Sequence, residues 1–165
     1  MSTEVACTLE ELTQVLANTA FMKPYGLLVQ SCAPGECTIV LPYASSLERP
    51  GGIVSGMMIM GAADVAMWLA IMSRRGTTER WVTTDMKTAF LRSARETDIY
   101  CTARVLKLGK RTSYGTAECR DVSGHLLAHH VISYTLVPMQ AEPANPGGHH
   151  PRSILAPTMP QDDEQ

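Results

Sequence analysis

The chain of 165 residues is long enough to bury a hydrophobic core, so we expect a single main domain. Its composition, with 45% hydrophobic and 18% charged residues, is that of a globular protein. A formal net charge of −2 offers no basic surface for nucleic acid or an anionic membrane, so neither is an expected partner. Residues 1–12 lack a basic segment followed by an apolar one, so we expect no signal peptide and a cytoplasmic protein.

The cysteines predict neither a metal site nor a disulfide framework. They are Cys7, Cys32, Cys37, Cys101 and Cys119. Their spacing contains no C-x-x-C pair and is not typical of a zinc site, so we expect free thiols in a reducing compartment. Cys32 and Cys37 can face each other across a predicted hairpin, but the sequence does not establish a bridge.

The N-terminal part predicts a helix and a hairpin. Residues 8–11, Thr-Leu-Glu-Glu, form a capping box, and the apolar spacing that follows predicts a helix over about 9–19. Two strand-like runs, 27–33 and 37–43, flank a Pro-Gly turn. The pattern therefore predicts two antiparallel strands after the first helix.

A long apolar run over about 55–74 predicts a second helix, which ends at Arg74-Arg75-Gly76. Its length of about 20 residues would also suit a membrane span. Asp64 in its middle and the strand-like sequence after it favour a helix buried in the centre of a soluble fold. A buried carboxylate must be satisfied by a partner or used in chemistry, so Asp64 is the first functional candidate.

After this helix the apolar period changes to two, which predicts four strands, over 80–91, 98–108, 111–121 and 125–137. A sheet of six strands can bury one long helix only by curling around it. We therefore expect an α+β fold with a curled antiparallel sheet around a central helix. Strict alternation in the strand 80–91 would place Thr84 on the face of Met86.

The same alternation would place Asp85 and Lys87 on the face of Thr83, as an ordinary cross-strand charge arrangement. In the last strand, His129 and His130 fall on opposite faces, and we expect both to be structural. From about residue 139 the chain is rich in proline and ends in acidic and amide residues. We therefore expect a domain over 1–138 and a poorly ordered tail over 139–165, where His149-His150 is incidental.

Three segments in order carry a family resemblance. They are RPGGIVSGMMIMGAADVAM at 49–67, VTTDMKTAFLRSA at 82–94, and 103–134 with its glycine turn and final strand pair. Together they resemble the hotdog-fold acyl-CoA thioesterases, in the phenylacetyl-CoA-type (PaaI-like) branch of the 4-hydroxybenzoyl-CoA thioesterase superfamily. The resemblance covers roughly 25–138. It implies a hotdog fold, an acyl-CoA substrate, and a homodimer or a dimer of dimers. It implies no separate cofactor, since coenzyme A is part of the substrate.

The resemblance also implies roles for individual residues. Asp64 keeps the family position of the acid or nucleophile, nine residues after the position of a family histidine. That histidine is Ser55 here, and Arg49 stands near the position of a family asparagine, so the chain departs from the pattern at both places. Thr83 matches a hydroxyl residue that supports the nucleophile or the water in related thioesterases.

Thioester hydrolysis needs a group that stabilises the developing oxyanion and a group that delivers the nucleophile. Gly56, at the start of the predicted helix, offers an unpaired N–H and a close approach, with the N–H of Met57 as a second donor. Asp64 would either attack the thioester or deprotonate a water, and the sequence leaves both routes open.

Substrate binding would use residues on both sides of the catalytic groups. Ser55 and Met57 flank Gly56, and the methionine-rich helix offers an adaptable slot for the acyl group. Cations at strand ends and in the glycine turn would bind the phosphates of coenzyme A. These are Arg92, Lys107, Lys110 and Arg111.

The spacing of the two catalytic groups predicts an assembly. Gly56 and Asp64 are eight residues apart, about 12 Å along a helix. An attacking group must come within about 3–3.5 Å of the carbonyl carbon, so one helix cannot bring both groups to one carbonyl. If both are catalytic, they belong to different subunits of an obligate dimer.

Two other functions stay open on the sequence. A hotdog protein that binds an acyl-CoA without turning it over is favoured by the loss of the histidine at Ser55, whereas Asp64 argues for an enzyme. A dehydratase or hydratase of the same fold would require a catalytic histidine near the start of the helix.

Overall fold

The computed structural model describes residues 5–138 of the chain. The predicted tail over 139–165, with His149 and His150, lies outside the described residues. The domain bounds 1–138 therefore stay a prediction.

Helix α1, Leu9–Asn18, begins where the capping box predicts. The Thr8 hydroxyl accepts a hydrogen bond from the Glu11 N–H at 3.2 Å, and the Glu11 carboxylate accepts one from the Thr8 N–H at 2.7 Å. These bonds satisfy two backbone donors that a helix start leaves unpaired. A short 3₁₀ helix, Ala20–Tyr25, connects α1 to the first strand.

The predicted hairpin is formed by β1, Leu28–Ala33, and β2, Glu36–Leu41. Cys32 and Cys37 lie directly opposite each other in it, and both are free thiols. A second 3₁₀ helix, Ser45–Leu47, follows. Two strands of two residues each, β3 at Glu48–Arg49 and β4 at Ile53–Val54, then lead into the central helix.

The central helix α2 spans Gly56–Arg75. It is long and apolar enough to cross a membrane, but most of it is buried inside the fold. The fully buried side chains along it include Ala63, Ala66, Met67, Leu69 and Ile71. The apolar run is therefore the core helix of this fold, as the sequence predicts.

Four long strands follow: β5 at Arg80–Phe90, β6 at Ile99–Leu108, β7 at Thr112–Arg120 and β8 at Leu126–Val137. The six longer strands form one antiparallel sheet in the order β1-β2-β6-β7-β8-β5. This sheet wraps around α2, which confirms the predicted α+β architecture.

The prediction of strict alternation in β5 is wrong at one point. Thr83 pairs with Tyr134 and Asp85 pairs with Ser133, so Thr84 is an extra residue that forms a β-bulge. Because of the bulge, Thr83 rather than Thr84 shares the helix-facing side with Met86. For the same reason Asp85 and Lys87 do not share the face of Thr83.

One edge of the sheet is uncovered in the described chain. β5 is the last strand of the order, and Trp81 is its only buried residue within 5–138. The adjacent side of α2 is also open, since Met57 is exposed and Met60, Asp64 and Trp68 are half-buried. An open edge strand beside an open helix face is a surface that another chain can pair with.

Candidate active site

Asp64 lies in the third turn of α2 and is half-buried beneath the sheet. The hydroxyl groups of Thr83 and Tyr134 each donate a hydrogen bond to its Oδ1, and both distances are 2.6 Å. Within residues 5–138, no donor is bonded to Oδ2. O–H···O contacts this short are typical of a charged acceptor. We call Asp64, Thr83 and Tyr134 the open cluster.

No sequence motif identifies Tyr134 as part of the site. It lies on β8, is 3% exposed and faces α2. Burial and the negative charge of Asp64 raise the pKa of the Tyr134 hydroxyl, so it stays protonated and remains a donor. A buried tyrosine hydroxyl and a buried acid each require a partner, but only the register between β5 and β8 shows that these two groups meet.

The start of α2 has unpaired donors. The Ser55 carbonyl accepts hydrogen bonds from the N–H groups of Met58 at 3.0 Å and Ile59 at 3.3 Å. The N–H groups of Gly56 and Met57 have no backbone or side-chain acceptor within residues 5–138. The Ser55 side chain does not cap the helix either. This helix start can therefore receive a partial negative charge.

A pocket of about 420 Å³ lies against this helix start. The Phe90 ring packs on Gly56, where an added Cβ would lie 2.9 Å from Phe90 Cζ. Two arginines, Arg49 and Arg92, line the pocket and form no salt bridge with another described residue. The remaining lining residues are mostly apolar: Ile53, Val54, Ile59, Leu91, Ser93 and Ala94.

The predicted site residues lie at separate places on the described chain. Arg92 lines the pocket beside Gly56, whereas Asp64 and Thr83 do not. Lys107 lines a hydroxyl-rich depression on the sheet with Tyr114 and Ser133.

The other two cations lie elsewhere again. Arg111 lines a further depression with Leu136, and Lys110 is exposed in the turn between β6 and β7. Of the four predicted phosphate-binding cations, only Arg92 thus lines the pocket at the start of α2. The residues that the structure describes contain no group of three potential metal ligands.

A second polar cluster surrounds a fully buried histidine. His130 is 0% exposed; its Nδ1 lies 2.9 Å from Thr88 Oγ1, and its Nε2 lies 3.6 Å from Cys119 Sγ. Cys101 lies directly opposite Cys119, and hydrogen bonds from Cys101 and His130 lower the pKa of the Cys119 thiol. We call Thr88, His130, Cys119 and Cys101 the sealed cluster.

Comparison with known proteins agrees with this architecture. Residues 51–128 match the model of the thioesterase superfamily. The chain has the hotdog fold of these thioesterases. The match contains Gly56, Asp64 and Thr83, whereas Tyr134 lies beyond it.

Several solved structures align with most of the chain. A conserved protein of Pseudomonas aeruginosa is 29% identical, covering 72% of this chain and 94% of its own, with a TM-score of 0.69. The zebrafish thioesterase superfamily member 2 is 27% identical, covering 79% and 99%, with a TM-score of 0.72. The Escherichia coli PaaI protein from the phenylacetic acid degradation operon is 19% identical, covering 79% and 97%, with a TM-score of 0.70, and shares the fold alone.

Proposed function

We propose that this chain is a thioesterase that hydrolyses an acyl-CoA to the free acid and coenzyme A. The observation that carries the proposal is Asp64, half-buried, with one carboxylate oxygen held by two hydroxyl groups and the other unbonded within residues 5–138. A catalytic carboxylate must be held in place and still keep one oxygen for the reaction. The match of residues 51–128 to the thioesterase superfamily supports this reaction class.

In the proposed reaction the carbonyl carbon of the thioester gains an oxygen and loses the sulfur of coenzyme A. Asp64 either attacks this carbon or takes the proton of an attacking water, and both routes release coenzyme A as the thiol. The N–H groups of Gly56 and Met57 would stabilise the oxyanion. Their lack of an acceptor within the described residues fits this role.

The proposed active unit contains two chains. Asp64 does not line the pocket beside Gly56, and the two residues are about 12 Å apart along α2. The open edge of β5 and the open side of α2 lie next to each other and can pair with a second copy. In such a homodimer, or dimer of dimers, Gly56 of one subunit would face Asp64 of the other.

The proposed substrate would be bound by cations at the pocket and on the sheet surface. Arg92 and Arg49 would bind anionic groups at the pocket, whereas Lys107, Lys110 and Arg111 would reach the phosphates of coenzyme A from the sheet surface. The Phe90 ring beside Gly56 would contact an aromatic acyl group, which the thioester panel compares with aliphatic ones. The proposed location is cytoplasmic.

The test is thiol release from a panel of thioesters: acetyl-, hexanoyl-, palmitoyl-, benzoyl- and phenylacetyl-CoA. We expect hydrolysis of at least one, with one thiol formed per acid. The matched control is the amide analogue of the same acyl-CoA, which has the same shape but a far poorer leaving group and should be bound without turnover.

Binding of acyl-CoAs measured by calorimetry, without thiol release from any of them, would contradict the proposal. That outcome would support the alternative that the chain is a non-catalytic acyl-CoA-binding hotdog protein.

A further inference from the structure

The open cluster holds Asp64 by one oxygen only. Thr83 and Tyr134 are direct partners in the pairing of β5 with β8, and the bulge at Thr84 allows both Thr83 and Met86 to face α2. Their two hydroxyl groups therefore reach the same atom, Asp64 Oδ1, from neighbouring strands. Two hydrogen bonds to one oxygen fix the plane of the carboxylate.

The two donors differ in rigidity. Tyr134 is 3% exposed and packed in the core, whereas Thr83 is exposed in the described chain. The Tyr134 hydroxyl lies 2.6 Å from Asp64 Oδ1 and 2.8 Å from the backbone oxygen of Asp64. A hydroxyl has one proton, and a carboxylate is the stronger acceptor, so the proton lies on the bond to Oδ1. Tyr134 is thus the more rigid of the two anchors.

We propose that Tyr134 is a positioning residue which, together with Thr83, holds Asp64 Oδ1 so that Oδ2 is the oxygen that takes part in the reaction. The role rests on the proposed thioesterase function. If Asp64 is the nucleophile, Oδ2 bonds to the carbonyl carbon and the C–S bond breaks; the thiolate takes a proton from solvent, and a water then hydrolyses the anhydride. If Asp64 is the base, Oδ2 takes a proton from the attacking water and passes it to the leaving thiolate.

Tyr134→Phe tests this role, because it removes the hydroxyl and keeps the ring. Loss of one orienting hydrogen bond should lower kcat about 10- to 100-fold and leave KM within about twofold, since substrate contacts are unchanged. The matched control is Tyr100→Phe on β6, a half-buried tyrosine outside the open cluster, which should keep the wild-type kcat.

A double-mutant cycle separates this role from a structural one. Tyr134→Phe acts through Asp64 Oδ1, so it should cause no further loss when it is added to Asp64→Asn. An equal fractional loss in both backgrounds would overturn the proposal. Thr83→Val, at an exposed position that should not disturb folding, is the second variant; it should also lower kcat, and Thr83→Ser should restore it.

The outcomes distinguish this inference from the proposed function. If the wild-type protein releases no thiol from any thioester, the proposed function fails and the role of Tyr134 fails with it. If the wild-type protein is active and Tyr134→Phe keeps its kcat while folded, only the positioning role is overturned.

Discussion

Two polar clusters lie between α2 and the sheet, and they differ in their exposure to solvent. The sealed cluster has a fully buried histidine, bonded through its ring nitrogens to the half-buried Thr88 and to the buried Cys119. The open cluster has a half-buried carboxylate with one oxygen bonded and no donor to the other within the described chain. Histidine is the commoner general base, yet here the half-buried aspartate is the group that we propose reacts with the substrate.

Under the proposed mechanism, solvent access and an unused bonding position, rather than residue type, distinguish the reactive group. A cluster whose polar atoms bond to one another and exclude solvent contributes to folding. A cluster that holds one atom of a charged group and leaves the other unbonded is arranged for chemistry. Variants of the open cluster should therefore lose catalytic activity, whereas variants of the sealed cluster should lose stability.

The largest effect is expected from Asp64→Asn in the open cluster. It removes the nucleophile or base at nearly constant shape, so kcat should fall about 10³-fold or more while circular dichroism is unchanged. The melting temperature should be equal to or above that of the wild type, because catalytic acids are often held at a cost to stability. A folded variant that keeps most of the wild-type kcat would rule out Asp64 as the reactive group.

The next largest effect is expected at the start of α2. Gly56→Pro deletes the N–H proposed for the oxyanion, at a position where proline suits a helix, so kcat should fall about 10²- to 10³-fold. Gly56→Ala is the matched control, because its Cβ meets the same Phe90 ring and its N–H is kept. If the two variants lose kcat equally, the loss is caused by the contact with the Phe90 ring, and the Gly56 N–H has no role in stabilising the oxyanion.

A substitution in the sealed cluster should lower the stability of the protein rather than its activity. His130→Ala leaves a cavity and deprives Thr88 and Cys119 of their partner, so we expect a loss of about 2–4 kcal/mol. The melting temperature should then fall by about 5–15 °C. The kcat per folded molecule, measured below the transition, should stay within about twofold of the wild type. A tenfold loss of kcat in folded protein would mean that the two clusters do not have separate roles.

The smallest effect is expected from a contact that is short but exposed. Arg104 Nε lies 2.7 Å from Glu36 Oε2, nearly as close as the donors of Asp64, but the two side chains are 52% and 42% exposed. Water screens this pair, so Arg104→Ala should cost about 0.5 kcal/mol or less in urea unfolding and leave kcat unchanged. A loss of more than about 2 kcal/mol in the free energy of unfolding would show that the N–O distance, rather than burial, determines how much an ion pair stabilises this fold.

The sequence predicts the main elements because their signals are local. The capping box at Thr8, the apolar run of α2 and the change to period two afterwards each depend on neighbouring residues. The two-residue strands β3 and β4 are too short to give a periodic signal. The bulge at Thr84 is hidden because Thr83 and Thr84 are the same residue type, so either alternation fits the sequence.

The candidate site is predictable only in part, for a similar reason. Asp64 stands out as a lone acid in an apolar run, and Gly56 as a glycine at a helix start. Tyr134 is 70 residues from Asp64 in the chain, and only the pairing of β5 with β8 brings it there. Composition cannot show such a contact, because it depends on the register between two strands.

Subunit complementation tests the central claim most directly. Gly56→Pro and Asp64→Asn chains with different affinity tags are mixed, allowed to exchange, and the mixed dimer is isolated with both tags. Each parent homodimer should be nearly inactive. The mixed dimer would contain one site with both groups and one with neither, so it should regain about half of the wild-type activity per dimer. An isolated mixed dimer as inactive as its parents, or a wild-type monomer at full rate, would contradict a site shared between two chains.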